Sequence, residues 1–215
     1  MYESVIRLQP VRSAHAGVPP SASFHPSGLD TDLTMSPDTP EARSEMKAYP
    51  YRELIGKLLY LAIATRPDIA YVVGVLCRFV ENPGLAHWYA AKRVLRYLRG
   101  TTGMKLVYSR SSAPDLFTTY SDADLSGNPD NSRSTGGFAV CIGNGAVQWG
   151  SRLQPHVSLS STESEYTIAS KVGCEVVWMR YLFEELGYDV SRPFRSLSIT
   201  SPPSRSLNTL STSPR

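Results

Sequence analysis

The sequence predicts an α/β protein in which a helical segment precedes a mixed sheet packed on one long helix. Three observations predict this. Apolar residues recur at helical spacing between Tyr51 and Leu98. After residue 103 the pattern changes to short runs of β-branched and aromatic residues set between turn residues. A single unbroken helical stretch then runs from about Ser161 to Leu186.

Residues 1–48 form the first element, expected to be a disordered linker. From Gln9 onward the segment is rich in proline, serine and glycine, and its apolar residues are sparse and aperiodic. Such a segment buries too little apolar surface to offset its ordering entropy. A short helical turn is expected at Thr39-Pro40-Glu41, where a capping hydroxyl precedes a proline and an acid. The first long helix begins at Tyr51, with Leu54, Ile55, Leu58, Leu59 and Leu61 near one face. Thr65 is placed to cap a second helix, with Pro67 and Asp68 in its first turn. That helix is almost wholly apolar from Ile69 to Phe79, which predicts burial, and Asn82-Pro83-Gly84 stops it. A third helix, His87 to Leu98, is amphipathic. Trp88, Ala91, Leu95 and Leu98 are expected in the core, Lys92, Arg93, Arg96 and Arg99 on the neighbouring face, and Gly100 at the end.

Strands are expected at Met104–Tyr108, Leu116–Tyr120, Gly137–Ile142 and Ala146–Trp149, the last two joined by a Gly143-Asn144-Gly145 hairpin turn. Ser161-Thr162 followed by Glu163 and Glu165 open the long helix, and Gly187 closes it. Ser196–Thr200 is a short final strand. Residues 201–215 are serine, proline, threonine and arginine with almost no apolar content, so no packed element is expected there.

A net charge of +3 is too small to mark the whole chain as a nucleic-acid binder, so any basic surface must be local. Cys77, Cys141 and Cys174 lie far apart, with neither disulfide-framework nor zinc spacing, and read as free thiols in a reducing compartment. No stretch is long and apolar enough to span a bilayer, and Met1-Tyr2-Glu3-Ser4 lacks the order of a signal peptide. The expectation is an intracellular protein, in cytoplasm or nucleus, without a membrane partner.

The chemistry-bearing residues are acids. Asp122 and Asp124 lie in Tyr120-Ser121-Asp122-Ala123-Asp124 at the end of a strand, and Glu163 and Glu165 open the long helix. A strand acid and a helix acid can converge on one point, which is what a hard divalent cation requires. Two such ions can activate water and stabilise a leaving oxygen in phosphodiester cleavage. Acids at these places also serve as turn residues and helix caps, so spacing leaves both readings open. His156 falls in a loop and is expected to be merely exposed.

Five runs narrow the choice. They are YRELIGKLLYLAIATRPDIAY, HWYAAKRVLRYLRGTTG, YSDADLSGNPDNSRSTGGF, VQWGSRLQPHVSLSSTESEY and WMRYLFEELG. Together, residues 49 to about 195 resemble the copia-type retrotransposon Pol polyprotein downstream of its reverse-transcriptase palm. The resemblance implies that residues 49–110 are the helical connection region of a reverse transcriptase. Residues 111–200 are then a truncated ribonuclease H-like domain, with a mixed sheet and a long helix. It further implies Asp122 and Glu165 as catalytic, metal-binding acids, with Asp124 and Glu163 as secondary candidates, and Mg2+ or Mn2+ as cofactor. The implied partners are an RNA–DNA hybrid or template–primer duplex, gripped through Lys92, Arg93, Arg96 and Arg99, and the remaining Pol domains of the parent element.

The chain also departs from that family. No Tyr-x-Asp-Asp polymerase motif precedes the connection region. Where the family continues with a strand ending in Asp-Asn and then a helix, this chain reads Ile199-Thr200-Ser201-Pro202-Pro203-Ser204. The resemblance therefore implies that the third catalytic acid and the later motif are missing. Codons for Asp-Asn-Gln-Ala-Ala-Ile-Gln, read one base later, give a Thr-Thr-Lys-Pro-Pro-Ser string much like the observed one. A reading-frame slip near Thr200 is the expected origin of the tail, and the flanking genomic DNA tests it. The expected function is thus a degenerate Pol fragment, by descent a hybrid ribonuclease and now inactive. The competing readings are a nuclease completed in trans, a nucleic-acid-binding remnant acting through helix 87–99, and an expressed remnant without a role.

Overall fold

The computed structural model describes residues 32–109, 116–143, 145–191 and 194–198. The expectations for residues 1–31 and for the tail after Ser198 lie outside the described residues. The described residues fall into two compact units, one helical (32–105) and one containing the sheet (106–198).

The helical unit begins inside the expected linker. A 3-10 turn, Leu33–Met35, starts at Asp32, whose side chain accepts from the Thr34 N–H. Helix α1 follows at Pro40–Met46, with the Thr39 hydroxyl accepting from the Ala42 N–H and Pro40 in the first turn. Ordered structure therefore starts well before residue 48. Its anchors are tertiary: Met46 is buried, and Asn82 donates to the Pro37 carbonyl at 3.2 Å. Neither contact is visible in a local propensity reading.

Helix α2 spans Tyr51–Ala64, α3 spans Ala70–Cys77 and α4 spans Leu85–Gly100. Tyr51, Ile55, Leu58 and Ala62 form the buried stripe of α2, while Leu59 and Leu61 face outward. Helix α3 buries Val72, Val73, Val75 and Leu76, consistent with its nearly continuous apolar sequence. The Tyr51 hydroxyl satisfies itself in this core by donating to the Leu76 carbonyl at 2.9 Å. Helix α4 buries His87, Ala90, Ala91 and Val94. Its stripe is thus rotated by about one residue from the expected Trp88, Ala91, Leu95 and Leu98. Leu95 is 43% exposed, while Trp88 and Leu98 are partly buried at the core's margin. Small residues at Ala90 and Ala91 permit close helix approach, so they sit innermost although larger neighbours are more apolar. Thr65 is the C-cap of α2 instead of the expected N-cap of the next helix.

In the other unit, β1 (Thr118–Ala123), β2 (Thr135–Ile142), β3 (Gly145–Leu153) and β4 (Arg195–Ser198) form a sheet of order β3-β2-β1-β4. β1, β2 and β3 are an antiparallel meander, and β4 lies parallel to β1. Residues 104–108 are not a strand, contrary to expectation. The short run forms no ladder with a described neighbour, and Tyr108 instead donates its hydroxyl to the Ala146 carbonyl. Helix α5, Ser161–Glu185, covers one face of the sheet with Ser164, Ile168, Val172, Val176 and Met179 buried at i, i+4, i+8, i+12 and i+15. These apolar side chains meet Phe117, Ala123, Phe138 and Val140 from the strands. Gly187, at φ +80°, ends the helix, and the Tyr188 N–H returns to the Phe183 carbonyl.

Candidate functional site

Asp122 lies one residue before the end of β1. Strand alternation puts Ser121 and Ala123 on the α5 side, opposite Phe138 and Gly136, and Asp122 on the other side, opposite Gly137. The described pairing of β1 with β4 stops at Ser121–Ser198, so Asp122 sits just past the parallel ladder. Ligands of open α/β sheets collect at such carboxyl ends. Asp122 is 4% exposed, and its Oδ1 has no hydrogen-bond partner among the described residues. Its carboxyl is pushed up to about 6, first by burial and further by the negative fields of Glu165 and Asp124. A hydrogen bond from the Ala123 N–H acts in the opposite sense.

Glu165 reaches this neighbourhood through a backbone anchor. The hydroxyl of the adjacent Ser164 donates to the Asp124 carbonyl at 3.0 Å, pinning the start of α5 to the end of β1. The Glu165 charge lies close enough to Asp122 to raise its carboxyl. Asp124 is committed elsewhere: its carboxylate accepts from the Thr135 N–H, and its own N–H donates to the Thr135 carbonyl at 3.1 Å. Gly127 is needed beside it, because a Cβ there would come within 1.9 Å of the Asp124 Oδ2. Glu163 is a helix cap. Its Oε2 accepts from the Leu159 N–H at 2.7 Å, and its N–H donates to the Ser160 hydroxyl at 3.1 Å. Among the described residues no three His, Cys, Asp or Glu side chains are grouped to hold a metal ion.

In the helical unit, Lys92, Arg93, Arg96 and Arg99 are all exposed along α4. The Lys92 ammonium lies 5.8 Å from the Tyr89 ring centre. The arrangement is a basic ridge on a helix whose opposite side is in the core, suited to contacts with phosphates.

No family model and no solved structure matches the chain. The retrovirus-related Pol polyprotein from transposon TNT 1-94 of Nicotiana tabacum is 45% identical over 159 residues, covering 74% of this chain and 12% of that protein. The Pol polyprotein from transposon RE2 of Arabidopsis thaliana is 41% identical over 143 residues, covering 66% of this chain and 10% of that one. This chain belongs to the copia-type retrotransposon Pol polyproteins. It spans only about a tenth of these Pol relatives' length. The same Pol segment also resembles the secreted RxLR effector protein 161 of Plasmopara viticola, 44% identical over 134 residues, which are 62% of this chain and 94% of that protein. The Arg-x-Leu-Arg string has two overlapping matches here, Arg93–Arg96 and Arg96–Arg99, both inside α4 with Val94 in the core. No described helix is long and apolar enough to cross a membrane.

One polar cluster of this Pol segment escapes a sequence reading. Arg66 and Asp68 form an ion pair at 2.6 Å, each side chain 11% exposed. Arg66 also donates to the Thr101 hydroxyl at 2.6 Å and lies over the Tyr97 ring at 5.6 Å. Burial, followed by the Asp68 charge, raises the Tyr97 phenol above its ordinary range. The cluster ties the α2–α3 turn to the end of α4. Thr-Arg-Pro-Asp signals a turn locally, but nothing in it names Tyr97 or Thr101 as partners.

Proposed function

We propose that this segment is a degenerate piece of a Pol polyprotein, by descent the connection region and the first part of a ribonuclease H-like, metal-dependent RNA–DNA hybrid nuclease, and that it no longer cleaves. The observation that carries this reading is Asp122, a buried carboxylate at the end of a central strand, with an oxygen unpartnered among the described residues and a proton affinity raised first by burial and then by two neighbouring acids. A group so placed costs stability, and perturbed acids of this kind cluster at functional sites. The loss of activity is supported by the rest of the set. Asp124 is tied to Thr135 and Glu163 caps α5, which leaves Glu165, among the described residues, as the second acid near Asp122.

The test is a hybrid-cleavage assay of the purified chain with magnesium and then manganese, run beside Asp122→Asn. Equal, background-level cleavage by both proteins is expected. Robust turnover that vanishes in the variant would show a complete site. Cleavage that appears only when other Pol domains are added would point to completion in trans. A second reading, a remnant that grips a duplex without cutting, is favoured by the exposed Lys92, Arg93, Arg96 and Arg99. It requires hybrid binding that weakens steeply with salt and falls in an Arg93→Ala, Arg96→Ala double variant.

A further inference from the structure

Helix α5 has a second apolar surface that its own sheet does not use. Lys171, Cys174, Trp178, Tyr181, Leu182 and Glu185 fall within about a third of the helix circumference at roughly 100° per residue. This stripe lies beside the buried Ile168, Val172, Val176 and Met179 face. Trp178 is 57% exposed and Tyr181 63%, with Leu182 at 37%. Large aromatics held out on a rigid helix are the residues that anchor protein interfaces.

We infer that this stripe is a self-association surface, and that a second copy of this chain packs against it antiparallel about an axis near Trp178. The charge order supports that occupant. Lys171 and Glu185 lie at the two ends of the stripe, each seven residues from Trp178. An antiparallel second copy therefore sets Lys171 of each chain opposite Glu185 of the other, with the Trp178 rings at the centre and Cys174 facing Leu182. A surface that is its own complement under a two-fold axis is what an isologous dimer requires. The neighbouring charges do not compete, because Glu175 accepts from Gln148 at 2.7 Å and Arg180 donates to the Val190 carbonyl at 3.1 Å. A stripe whose one lysine is balanced by one acid is a poor surface for nucleic acid. The overlap, Lys171 to Glu185, is about 21 Å long at 1.5 Å per residue, so the contact is small and the dimer readily reversible. This inference is independent of the nuclease reading.

The experiment is sedimentation velocity on the full chain across a dilution series. A dimer that dissociates on dilution is expected, and Trp178→Ala should weaken it by roughly tenfold or more. Lys171→Glu and Glu185→Lys should each weaken it, and the two together should recover association. These side chains lie outside the core, and circular dichroism checks that each variant is folded. A monomer at every concentration would overturn the inference, as would a dimer insensitive to Trp178→Ala or a charge-swapped double variant no better than the single ones. In particular, a monomer whose Trp178 emission is blue-shifted and unchanged by dilution would mean that another part of the same chain covers the stripe.

Discussion

At the scale of single residues, Asp122 sets a pH dependence of stability. Its folded-state carboxyl is raised from 3.8 to about 6, so the folded chain holds a proton that the unfolded chain has released. The stabilisation is fully present below pH 3.8, declines as pH rises through about 6, and is then gone. Asp122→Asn removes the titrating group and keeps the shape. Denaturant melts should find the variant more stable at pH 7 by about 1–3 kcal/mol and the difference much smaller at pH 4. An unchanged or lower stability at pH 7 would contradict the burial and the missing hydrogen bond. Acids beside a strand end and a helix start are common as turn and cap residues, so the resemblance to the Pol family, and not their spacing, singles out Asp122 and Glu165. The Ser164–Asp124 contact that brings Glu165 to the end of β1 is not legible in the sequence, because it joins residues far apart in the chain. The engagement of Asp124 by Thr135 is likewise a pairing across the loop between β1 and β2.

At the scale of elements, the long helix and the meander were readable because each obeys one period over many residues. Ser161–Glu185 has both caps in its sequence, and β2 and β3 flank a glycine-rich turn. The run at residues 104–108 misled because apolar residues too few to show a period resemble a strand whether or not a partner exists. The α4 stripe misled for a different reason: alanine carries little hydrophobic signal yet occupies the tightest place between helices. Close packing also explains Gly136, which an alternation count leaves anonymous. A Cβ there would stand 2.8 Å from the Ile168 Cδ1, on the seam between β2 and α5. Gly136→Val should therefore cost about 1–3 kcal/mol through overpacking. Pairing it with Ile168→Ala should recover part of that loss, whereas simple addition of the two costs would show that the contact is not limiting.

At the scale of the whole molecule, the chain carries two cores with no residue in common, one built on Tyr51, Leu58, Leu76 and Val94 and the other on Phe117, Val140, Val172 and Val176. Such a division could be anticipated from the change of period near residue 103, whereas the docking of residues 32–46 could not, because its anchors are single long-range contacts. The buried phenols of the helical unit have an optical consequence. Burial raises both Tyr51 and Tyr97 above the ordinary phenol range, and both lie in the helical unit. Above pH 10 an unfolded chain loses these protons while the folded one keeps them, so the stability they lend drains away at the alkaline end. In an alkaline titration followed by phenolate absorbance, the signal of these two rings should arrive late and together with loss of helical circular dichroism. The same chain thus contains a built-in dye for one of its halves, which reports when the helices open and is silent about the sheet.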